Sequence, residues 1–524
     1  MDPITLAVLG LFGLFGGLFV AESRRKAAQR ERIEQAYKFG PANVHGAARF
    51  ANDEDIQKAS LFKRIGIRIG FSLDSGRKLF INNSGHILTC AGARTGKFVT
   101  VLCEAILSLP RSYGLCIVDP KAEITCICAH YLKSRGRAVY VLNPFGIWLD
   151  RMKGLKLASF NPMSSLDPKS LSFHADCDKL ADAICHEDGH SSDSHWINSA
   201  RLLISGVIGA LAKYGTPAEK SLIAVRTVIT GSNGASLFEF CRESMKSPDP
   251  YIRQKLARFA APGAEDNKEL NGIVSTADTQ TGFMANEAIA GSLKGGVDEI
   301  SFRDLKRKPG TVISICLPLD QLPVTHKWFR ILAATMISDT LKEGLRGKGA
   351  PVIAILDEVF QIGHLKILAD AWGMAAGAAS LQLWAVYQDV SQIMAQFKTG
   401  WQTMVQNSGT AMYFGVRDQQ TAEFVAKQCG VTEVLSHSRS VSIDVRTGEP
   451  IVSDSATQSA RPLLHPDQVR FGLQDDEMLM FCDGVPGVIR AKRKPYFKCR
   501  DLKGKYRDNP YFTKSGGWFS WLWK

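Results

Sequence analysis

The chain has 524 residues, of which 45% are hydrophobic, and it carries a formal net charge of +13 with an isoelectric point near 9.1. This length and apolar content predict two or three packed domains and exclude a disordered chain. The basic excess favours an anionic partner, nucleic acid or a phospholipid surface, without choosing between them. Twelve scattered cysteines, several within apolar runs, are typical of buried reduced thiols in the cytosol rather than of a disulfide framework.

The amino terminus is predicted to cross a membrane. The run Ile4–Ala21 has no charged side chain and would extend about 27 Å as a helix, just enough for a bilayer core. Basic residues cluster after it, between Arg24 and Arg32. Because the side of a membrane span that is richer in lysine and arginine stays in the cytoplasm, the chain after this span is expected to be cytoplasmic. Residues 1–23 are therefore predicted to be a single transmembrane anchor.

Short apolar runs rich in β-branched residues predict buried parallel strands at 85–92, 113–119, 138–144, 310–318, 351–358, 381–389 and 409–416. Helix-like stretches separate most of them. This alternation predicts an α/β fold with helices on both faces of a sheet.

One long segment interrupts the alternation of strands and helices. Helical spacing at 196–215 and 250–260, with almost no strand-like run nearby, predicts an all-α domain inserted between strands. The predicted domains are the anchor followed by an α/β domain in two parts, 24–165 and 286–500, around an inserted all-α domain, 166–285, with a basic and aromatic tail, 501–524.

The stretch CAGARTGKFVT is close to the P-loop pattern G-x-x-x-x-G-K-[ST], which holds phosphates with backbone N–H groups and a lysine and binds Mg²⁺ with a hydroxyl. Ala91 occupies the first-glycine position and Phe98 the hydroxyl position. A predicted strand precedes the loop and a predicted helix follows it, as a P-loop requires. The predicted nucleotide-binding residues are Gly92, Ala93, Arg94, Thr95, Gly96, Lys97 and Phe98.

The strand VIAILDE ends in Asp357 and Glu358. This arrangement is typical of a Walker B motif, in which the aspartate holds Mg²⁺ and the glutamate polarises the attacking water. Gln388 ends another strand and is a candidate sensor of the γ-phosphate. The alternative interpretations are that Asp357 and Glu358 are solvated acids after a buried strand and that Gln388 is a surface glutamine. Phe98 removes one Mg²⁺ ligand, so we expect weaker metal affinity rather than inactivity.

A competing motif is HEDGH, in which His186, Glu187 and His190 match the zinc-protease pattern H-E-x-x-H. A membrane-anchored AAA metalloprotease would combine it with a span and a P-loop. However, Asp188 and Gly189 interrupt the helix that the pattern needs, and the motif precedes the Walker B strand instead of following it. A solvated polar loop is the preferred interpretation.

Further motifs follow one another in a fixed order: VHGAARFANDEDIQKASLF, GARTGKF, IVDPKAEI, VLNPFG, SFNPM, TVISICLPLDQL, ILDEVFQIGHL, VYQDVSQI and VRDQQTAEFVAKQCG. With these, residues 44 to 500 resemble the type IV secretion coupling proteins, the TraG/VirD-type ATPases of conjugative DNA transfer. Ala91 is ordinary in that family, whereas Phe98 departs from the small or hydroxyl residue found there. The single predicted span is a second departure, because the family usually has two.

The resemblance implies a RecA-like P-loop ATPase that uses ATP and Mg²⁺, with an inserted all-α domain, assembled as a homo-hexamer at the bacterial inner membrane. It implies delivery of a single-stranded DNA–relaxase complex or of effector proteins to secretion-channel components. Lys97 would hold phosphate, Asp357 the metal, Glu358 the attacking water, and Gln388 would sense the γ-phosphate. An arginine finger from a neighbouring subunit is implied without being located, and Arg94 and Arg417 are candidates.

Two alternatives stay open beside the motor. One is a low-turnover substrate receptor of the secretion channel, with a P-loop compromised by Phe98. The other is a septal-type translocase of double-stranded DNA, for which the chain ends too soon after the ATPase core.

Residues 490–507 combine nine basic side chains with Tyr496, Phe497 and Tyr506. Such a mixture suits single-stranded nucleic acid, through phosphate contacts and base stacking. It suits an anionic bilayer surface equally well, and a plain solvated face is the third interpretation. The tryptophan-rich carboxyl terminus is compatible with docking on the protein's own surface, on a partner or in the membrane interface, and the sequence does not choose among these three.

Overall fold

The computed structural model describes residues 46–82, 85–185, 194–296, 298–347, 349–374, 380–443 and 450–511. The predicted transmembrane segment and the HEDGH motif lie outside these ranges. Inside them, no helix has both the length and the apolar character that crossing a bilayer requires. The described residues divide into a larger unit, within Ala51–Thr421 and Arg470–Lys524, and a smaller unit, within Met1–Phe50 and Ala422–Val469.

The strands are β1 (Ile67–Ser72), β2 (Lys78–Ile81), β3 (His86–Ala91), β4 (Gly114–Asp119), β5 (Val139–Leu142), β6 (Lys156–Leu157), β7 (Val312–Cys316), β8 (Val352–Leu356), β9 (Leu381–Tyr387), β10 (Ser408–Phe414), β11 (Val431–Ile443), β12 (Pro450–Pro462), β13 (Glu477–Cys482) and β14 (Ile489–Lys492).

The helices are α1 (Asp53–Lys58), α2 (Cys103–Ser108), α3 (Glu123–Ser134), α4 (Phe173–Ile184), α5 (Ser194–Tyr214), α6 (Leu222–Thr230), α7 (Leu237–Ser244), α8 (Pro250–Ala260), α9 (Lys268–Thr281), α10 (Glu287–Ser292), α11 (Asp304–Arg307), α12 (Leu322–Leu345), α13 (Lys366–Met374), α14 (Val390–Phe397), α15 (Trp401–Gln406), α16 (Gln419–Cys429) and α17 (Pro466–Phe471).

The larger unit is built on one sheet of twelve strands in the order β2-β1-β14-β13-β10-β3-β9-β8-β4-β7-β5-β6. The strands from β10 to β6 run parallel, whereas β2, β1, β14 and β13 pair antiparallel beside them. The seven predicted strands correspond to β3, β4, β5, β7, β8, β9 and β10. The prediction of a buried parallel sheet in an α/β fold is therefore confirmed.

The antiparallel flank was not predicted from the sequence. β14 reads IRAK, and its residues alternate between buried and half-buried positions. A search for continuous apolar runs finds strands that are buried on both faces, and it overlooks a short strand with basic residues at every second position. The smaller unit contains another unpredicted element, the antiparallel pair of β11 with β12.

Between β6 and β7, the described residues are mainly helical and form the helices α4 to α11. The two helical predictions at 196–215 and 250–260 are confirmed as α5 and α8. α8 begins after Asp249, whose carboxylate accepts the N–H of Tyr251 at 3.0 Å, and Pro250 occupies the first helical position. Both features favour a helix start. The division into domains at 166 and 285 stays a prediction.

The twelve cysteines are all buried and all free of disulfides. The prediction that the cysteines are buried is therefore confirmed. Among the residues that the structure describes, no three or more histidine, cysteine, aspartate or glutamate side chains are grouped as a metal site would require.

His86, the first residue of β3, is fully buried and held in one neutral form. Its Nδ1 accepts the backbone N–H of Leu383 at 3.1 Å, so the proton lies on Nε2, which is 3.1 Å from the carbonyl oxygen of Ala371. Burial lowers the pKa of His86 from 6.5 to about 4, and the contact with Ala371 opposes this only in part.

The protein is expected to lose stability as the pH falls from 6.5 to 4, because the unfolded chain then takes up a proton that folded His86 excludes. Between pH 6.5 and pH 5 this group is expected to contribute a loss of about 2 kcal/mol, at about 1.4 kcal/mol per pH unit. Thermal unfolding at both pH values should show a smaller loss for His86→Asn. The control His465→Asn, at an exposed histidine, should behave like wild type. An unaltered pH dependence in His86→Asn would contradict this account.

Candidate functional site

Three parallel strands bring the predicted catalytic residues together at one edge of the sheet. β9 lies between β3 and β8, so their carboxyl ends converge there. Lys97 Nζ is 3.3 Å from Asp357 Oδ1 and 3.1 Å from Glu358 Oε1, although Lys97 and Glu358 are 261 positions apart. Gln388 Nε2 donates to Glu358 Oε2 at 3.3 Å. The sequence elements that were predicted to act jointly are thus in contact.

The loop before Lys97 is fixed by close backbone packing. Thr95 Oγ1 donates to the carbonyl oxygen of Gly92 at 2.7 Å. A Cβ at Gly92 would lie 2.5 Å from the carbonyl oxygen of Gly415, which follows β10. Gly96 has a φ of +79°, and exposed Arg94 adopts a φ of +62°, which is uncommon outside glycine. The loop therefore needs Gly92 and Gly415 for space and Gly96 for its backbone conformation.

Gly415→Ala is expected to weaken ATP binding by about tenfold, a loss of about 1.4 kcal/mol. The reason is steric, because a Cβ at Gly415 would lie 2.2 Å from Thr95 Cγ2 and would displace the loop. Gly484→Ala is the matched control, since Gly484 also has a positive φ, of +79°, but a Cβ there would meet nothing within 4 Å. Titration of a fluorescent ATP analogue compares the variants. Equal losses in both would attribute the effect to backbone strain and contradict the steric account.

Phe98 begins the helix that follows the loop and supplies no oxygen. Its half-buried ring packs against the hydrophobic core, at the start of a π-helical turn, Phe98–Leu102, that leads into α2. The nearest hydroxyl in sequence, Thr100 Oγ1, donates to the carbonyl oxygen of Gly96 at 2.8 Å. Such π turns are frequent at functional sites. The position that normally provides a metal-binding hydroxyl is therefore used for packing in this protein.

The charges at this edge form a partly buried cluster. Burial alone would lower the pKa of Lys97, but the carboxylates of Asp357 and Glu358 outweigh it and raise that pKa. Burial raises the pKa of Asp357, and Lys97 opposes this only in part. Asp357 Oδ1 is buried, and Lys97 Nζ lies 3.3 Å from it as an ion-pair partner. If Lys97 moves to phosphate, this carboxylate oxygen becomes available to Mg²⁺, which takes its other ligands from water and phosphate.

Asp119, at the end of β4, is a buried acid beside this cluster that the sequence analysis did not single out. β4 pairs with β8, so Asp119 lies next to the strand that leads to Asp357. Its carboxylate accepts the N–H of Thr125 at 2.7 Å and that of Glu123 at 3.1 Å, at the start of α3. A signal was present in the sequence, because GLCIVDP ends a strand in an acid as VIAILDE does.

Arg493 contacts the P-loop directly, and the sequence patterns did not identify it as a site residue. This residue follows β14, is buried, and donates from Nη1 to the carbonyl oxygen of Thr95 at 3.1 Å and to Thr100 Oγ1 at 2.8 Å. It also donates to the carbonyl oxygens of Asp475 and Glu477. Burial lowers its pKa to about 10. The antiparallel flank of the sheet thereby holds the P-loop through one side chain.

In the basic and aromatic segment the rings pack against the protein, whereas several basic side chains are exposed: Lys494, Lys498, Arg500, Lys503 and Arg507. Tyr496 is 2% exposed, and its ring meets Phe497 and Tyr506 edge-on at centroid distances of 5.3 Å and 4.8 Å. Base stacking by Tyr496 is therefore a wrong interpretation. The two candidate arginine fingers, Arg94 in the P-loop and Arg417 beyond β10, are both exposed.

A parallel sheet with a P-loop after one strand and an acidic strand end two strands away defines a RecA-like P-loop fold. Solved structures of the bacterial conjugative coupling protein TrwB have the same fold. Its unbound monoclinic form gives a TM-score of 0.61 at 16% identity over 85% of this chain and 93% of TrwB. TrwB in complex with ADP and Mg²⁺ gives 0.59 at 16% identity over 86% of this chain and 94% of TrwB.

The chain belongs to the type IV secretory system conjugative DNA transfer family, whose model matches residues 49–516. The conjugal transfer protein TraG of Agrobacterium fabrum is 22% identical over 83% of this chain and 64% of TraG. TraG of Escherichia coli is 24% identical over 88% of this chain and 78% of TraG, and VirD4 of Rhizobium radiobacter 25% identical over 88% and 65%. The chain thus spans just under two thirds of the first of these relatives.

Proposed function

We propose that this protein is the ATP-hydrolysing coupling protein of a conjugative DNA-transfer system. ATP hydrolysis drives delivery of a single-stranded DNA–relaxase complex, or of effector proteins, to the components of a secretion channel. The observation that carries this proposal is the contact of Lys97 with Asp357 and Glu358, in a chain of this family.

The proposed assembly is a homo-hexamer at the bacterial inner membrane. Residues 1–23 anchor it, and the RecA-like domain with its inserted helices, 166–285, lies in the cytoplasm. The uncharged run at the amino terminus and the basic cluster after it support this orientation. Arg94 and Arg417, which are both exposed, are our candidates for the arginine that acts on a neighbouring subunit's nucleotide.

In the proposed reaction, the P-loop binds the triphosphate and Lys97 moves its contacts from the two carboxylates to phosphate oxygens. Glu358 then orients the attacking water and accepts its proton. Gln388 is a positioning residue, because its amide holds Glu358 Oε2 at 3.3 Å and so fixes the carboxylate. Glu358 itself has a φ of +54°, a strained conformation of the kind found at active sites.

Asp357 is the residue that would hold Mg²⁺. When bound, the ion supplies positive charge that neutralises the phosphates during transfer. The hydroxyl position of the P-loop adds no oxygen, since Phe98 occupies it. We therefore propose that Asp357 and water supply most of the metal's ligands apart from the phosphates. The protein then requires a higher concentration of free Mg²⁺ than a P-loop protein with a hydroxyl at this position.

Steady-state ATP hydrolysis by the full chain, with and without single-stranded DNA, tests the function. Wild type should hydrolyse ATP faster than Lys97→Ala, which should fall to background because it lacks the phosphate-binding ammonium. Phe98→Thr should reach half its maximal rate at about tenfold less Mg²⁺, the effect of one added ligand worth about 1.4 kcal/mol. Equal rates in wild type and Lys97→Ala would end the motor proposal.

The replacement of the hydroxyl by Phe98 favours a second candidate, a receptor that recruits substrates with little turnover. In that case wild type and Lys97→Ala hydrolyse ATP equally slowly, and Phe98→Thr alone gains activity. DNA or effector binding would then be the same in all three proteins.

A further inference from the structure

A second concentration of charge lies on the opposite edge of the sheet from the P-loop. A cavity of about 320 Å³ opens beside the amino ends of β4 and β5, next to the ends of α2 and α3. β4 begins at this edge and ends in Asp119, beside the P-loop cluster. Its six residues place about 20 Å between the two edges. We name it the basic cavity after the cationic residues in its lining, Arg64, Arg68, Lys78, Arg111, Arg135, Arg137 and Lys505.

Acidic side chains compensate only part of this charge. Asp501 is the one acid in the lining among the described residues, and it pairs with Arg68 and Lys78 at 2.8 Å each. Arg68 also pairs with buried Glu104. No ion pair forms at the remaining cations within the described part of the chain, although Lys505 lies over the ring of Tyr131.

Arg137 gives the clearest indication of an anion-binding site. It is 4% exposed, and its Nε and Nη2 donate to the carbonyl oxygens of Gly310 and Tyr113. Its Nη1 is buried and has no acceptor among the described residues. Burial, with Arg111 beside it, lowers the pKa of Arg137 to about 10. A buried N–H of a charged group is costly to leave unpaired, so this atom points to a ligand.

Capping of helix ends accounts for only part of the arrangement. Cations are favourable near carboxyl termini of helices, and Arg111 donates to the carbonyl oxygen of Gly136, just beyond α3. This explains neither the free Nη1 of Arg137 nor the convergence of exposed Arg64 and Arg135 on one cavity. Like charges gathered in a low-dielectric recess repel one another unless an anion joins them.

We propose that the basic cavity binds a phosphate-bearing small ligand at a site separate from the P-loop. Guanidinium groups match the geometry of phosphate oxygens, and several of them converge here. The volume lies at the lower end of small-molecule pockets, whereas single-stranded nucleic acid uses extended grooves with stacking rings. The ligand is therefore a compact phosphate compound or the phosphate headgroup of a lipid, and the two sources share this chemistry.

Calorimetric titration with inorganic pyrophosphate tests the site in the full chain. The Lys97→Ala background removes the P-loop lysine, so that binding at the basic cavity is measured independently of ATP hydrolysis. Pyrophosphate should bind, and Arg137→Gln should weaken it by about tenfold, the value of one charge-assisted contact. Arg135→Gln and Lys505→Gln alter exposed or half-exposed side chains and should each weaken binding without affecting folding. Lys153→Gln, exposed and outside the cavity, is the control.

A second arm separates the two sources of phosphate. Flotation of the same proteins with vesicles of phosphatidylcholine containing phosphatidic acid, against phosphatidylcholine alone, measures headgroup binding. Vesicle binding that Arg135→Gln and Lys505→Gln reduce, without pyrophosphate binding, assigns a lipid headgroup, and pyrophosphate binding alone assigns a free compound. If neither probe binds, or if Lys153→Gln reduces binding as much as the cavity variants do, the proposal is overturned. Loss of ATPase activity in Lys97→Ala has no bearing on this result.

Discussion

Glu358→Gln is expected to lower the steady-state rate of ATP hydrolysis by about 10²–10⁴-fold, while ATP binding is retained. The amide keeps the shape of the side chain and an oxygen that Lys97 can contact, but it cannot accept the proton of the attacking water. Gln388 would lose the carboxylate that it holds at 3.3 Å, which adds misorientation to the lost basicity. Steady-state kinetics and equilibrium binding of ATP, measured on the same preparation, check both parts of this expectation.

Glu243→Gln is the matched control for this substitution. Glu243 lies on α7, is exposed, and pairs with Lys246 on the surface, so the same chemical change there should leave the rate unchanged. A Glu358→Gln protein with an undiminished rate would show that another group activates the water. A raised KM with an unchanged kcat would show instead that Glu358 serves substrate binding.

The contact between Lys97 and Asp357 could be anticipated from the sequence because two simple patterns specify it. Each residue follows a continuous apolar run, and such runs form parallel strands that are buried on both faces. Carboxyl ends of parallel strands meet at one edge, so residues 260 positions apart become neighbours without any long-range information. The order of the strands was not available from these patterns, since nothing local states that β9 separates β3 from β8.

The residues that the sequence analysis misjudged owe their roles to the antiparallel flank. Arg493 and Tyr496 stand in a run of basic residues, where charge predicts a solvated or nucleic-acid-binding face. Pairing of β14 with β13 and β1 carries that run into the fold, so that Arg493 is 2% exposed and donates to main-chain carbonyls. The basic cavity could not be predicted from the sequence either, because its cations come from segments that are far apart in the chain.

Backbone strain occurs at the proposed site, as it does at five other non-glycine residues with a positive φ in the described part of the chain. Arg94 and Glu358 both have a positive φ, although neither is glycine, and each costs about 1–3 kcal/mol. Both residues lie where the nucleotide is proposed to bind. A sequence pattern identifies the residue types in a P-loop or a Walker B motif, but it does not show which of them the fold places under strain.

Arg493→Met is expected to destabilise the protein by about 3 kcal/mol and to weaken ATP binding by about tenfold or more. The substitution leaves the acceptors on Thr95, Thr100, Asp475 and Glu477 without their donor. It also removes the cation that lies 4.0 Å from the ring centroid of Phe414. Because Thr95 belongs to the P-loop, the loss of its anchor should reach the nucleotide site as well as the fold.

Three comparisons separate a positioning role from a merely structural one. Arg493→Lys keeps the charge but offers a single ammonium where the planar fork met several acceptors, so it should recover part of the stability and little of the affinity. Arg500→Met, at an exposed arginine a few residues on, should match wild type. Thermal unfolding gives the stability of each variant, and ATP titration below its unfolding temperature gives the affinity of the folded protein. If Arg493→Met is destabilised but binds ATP as wild type does, Arg493 supports the fold without positioning the P-loop.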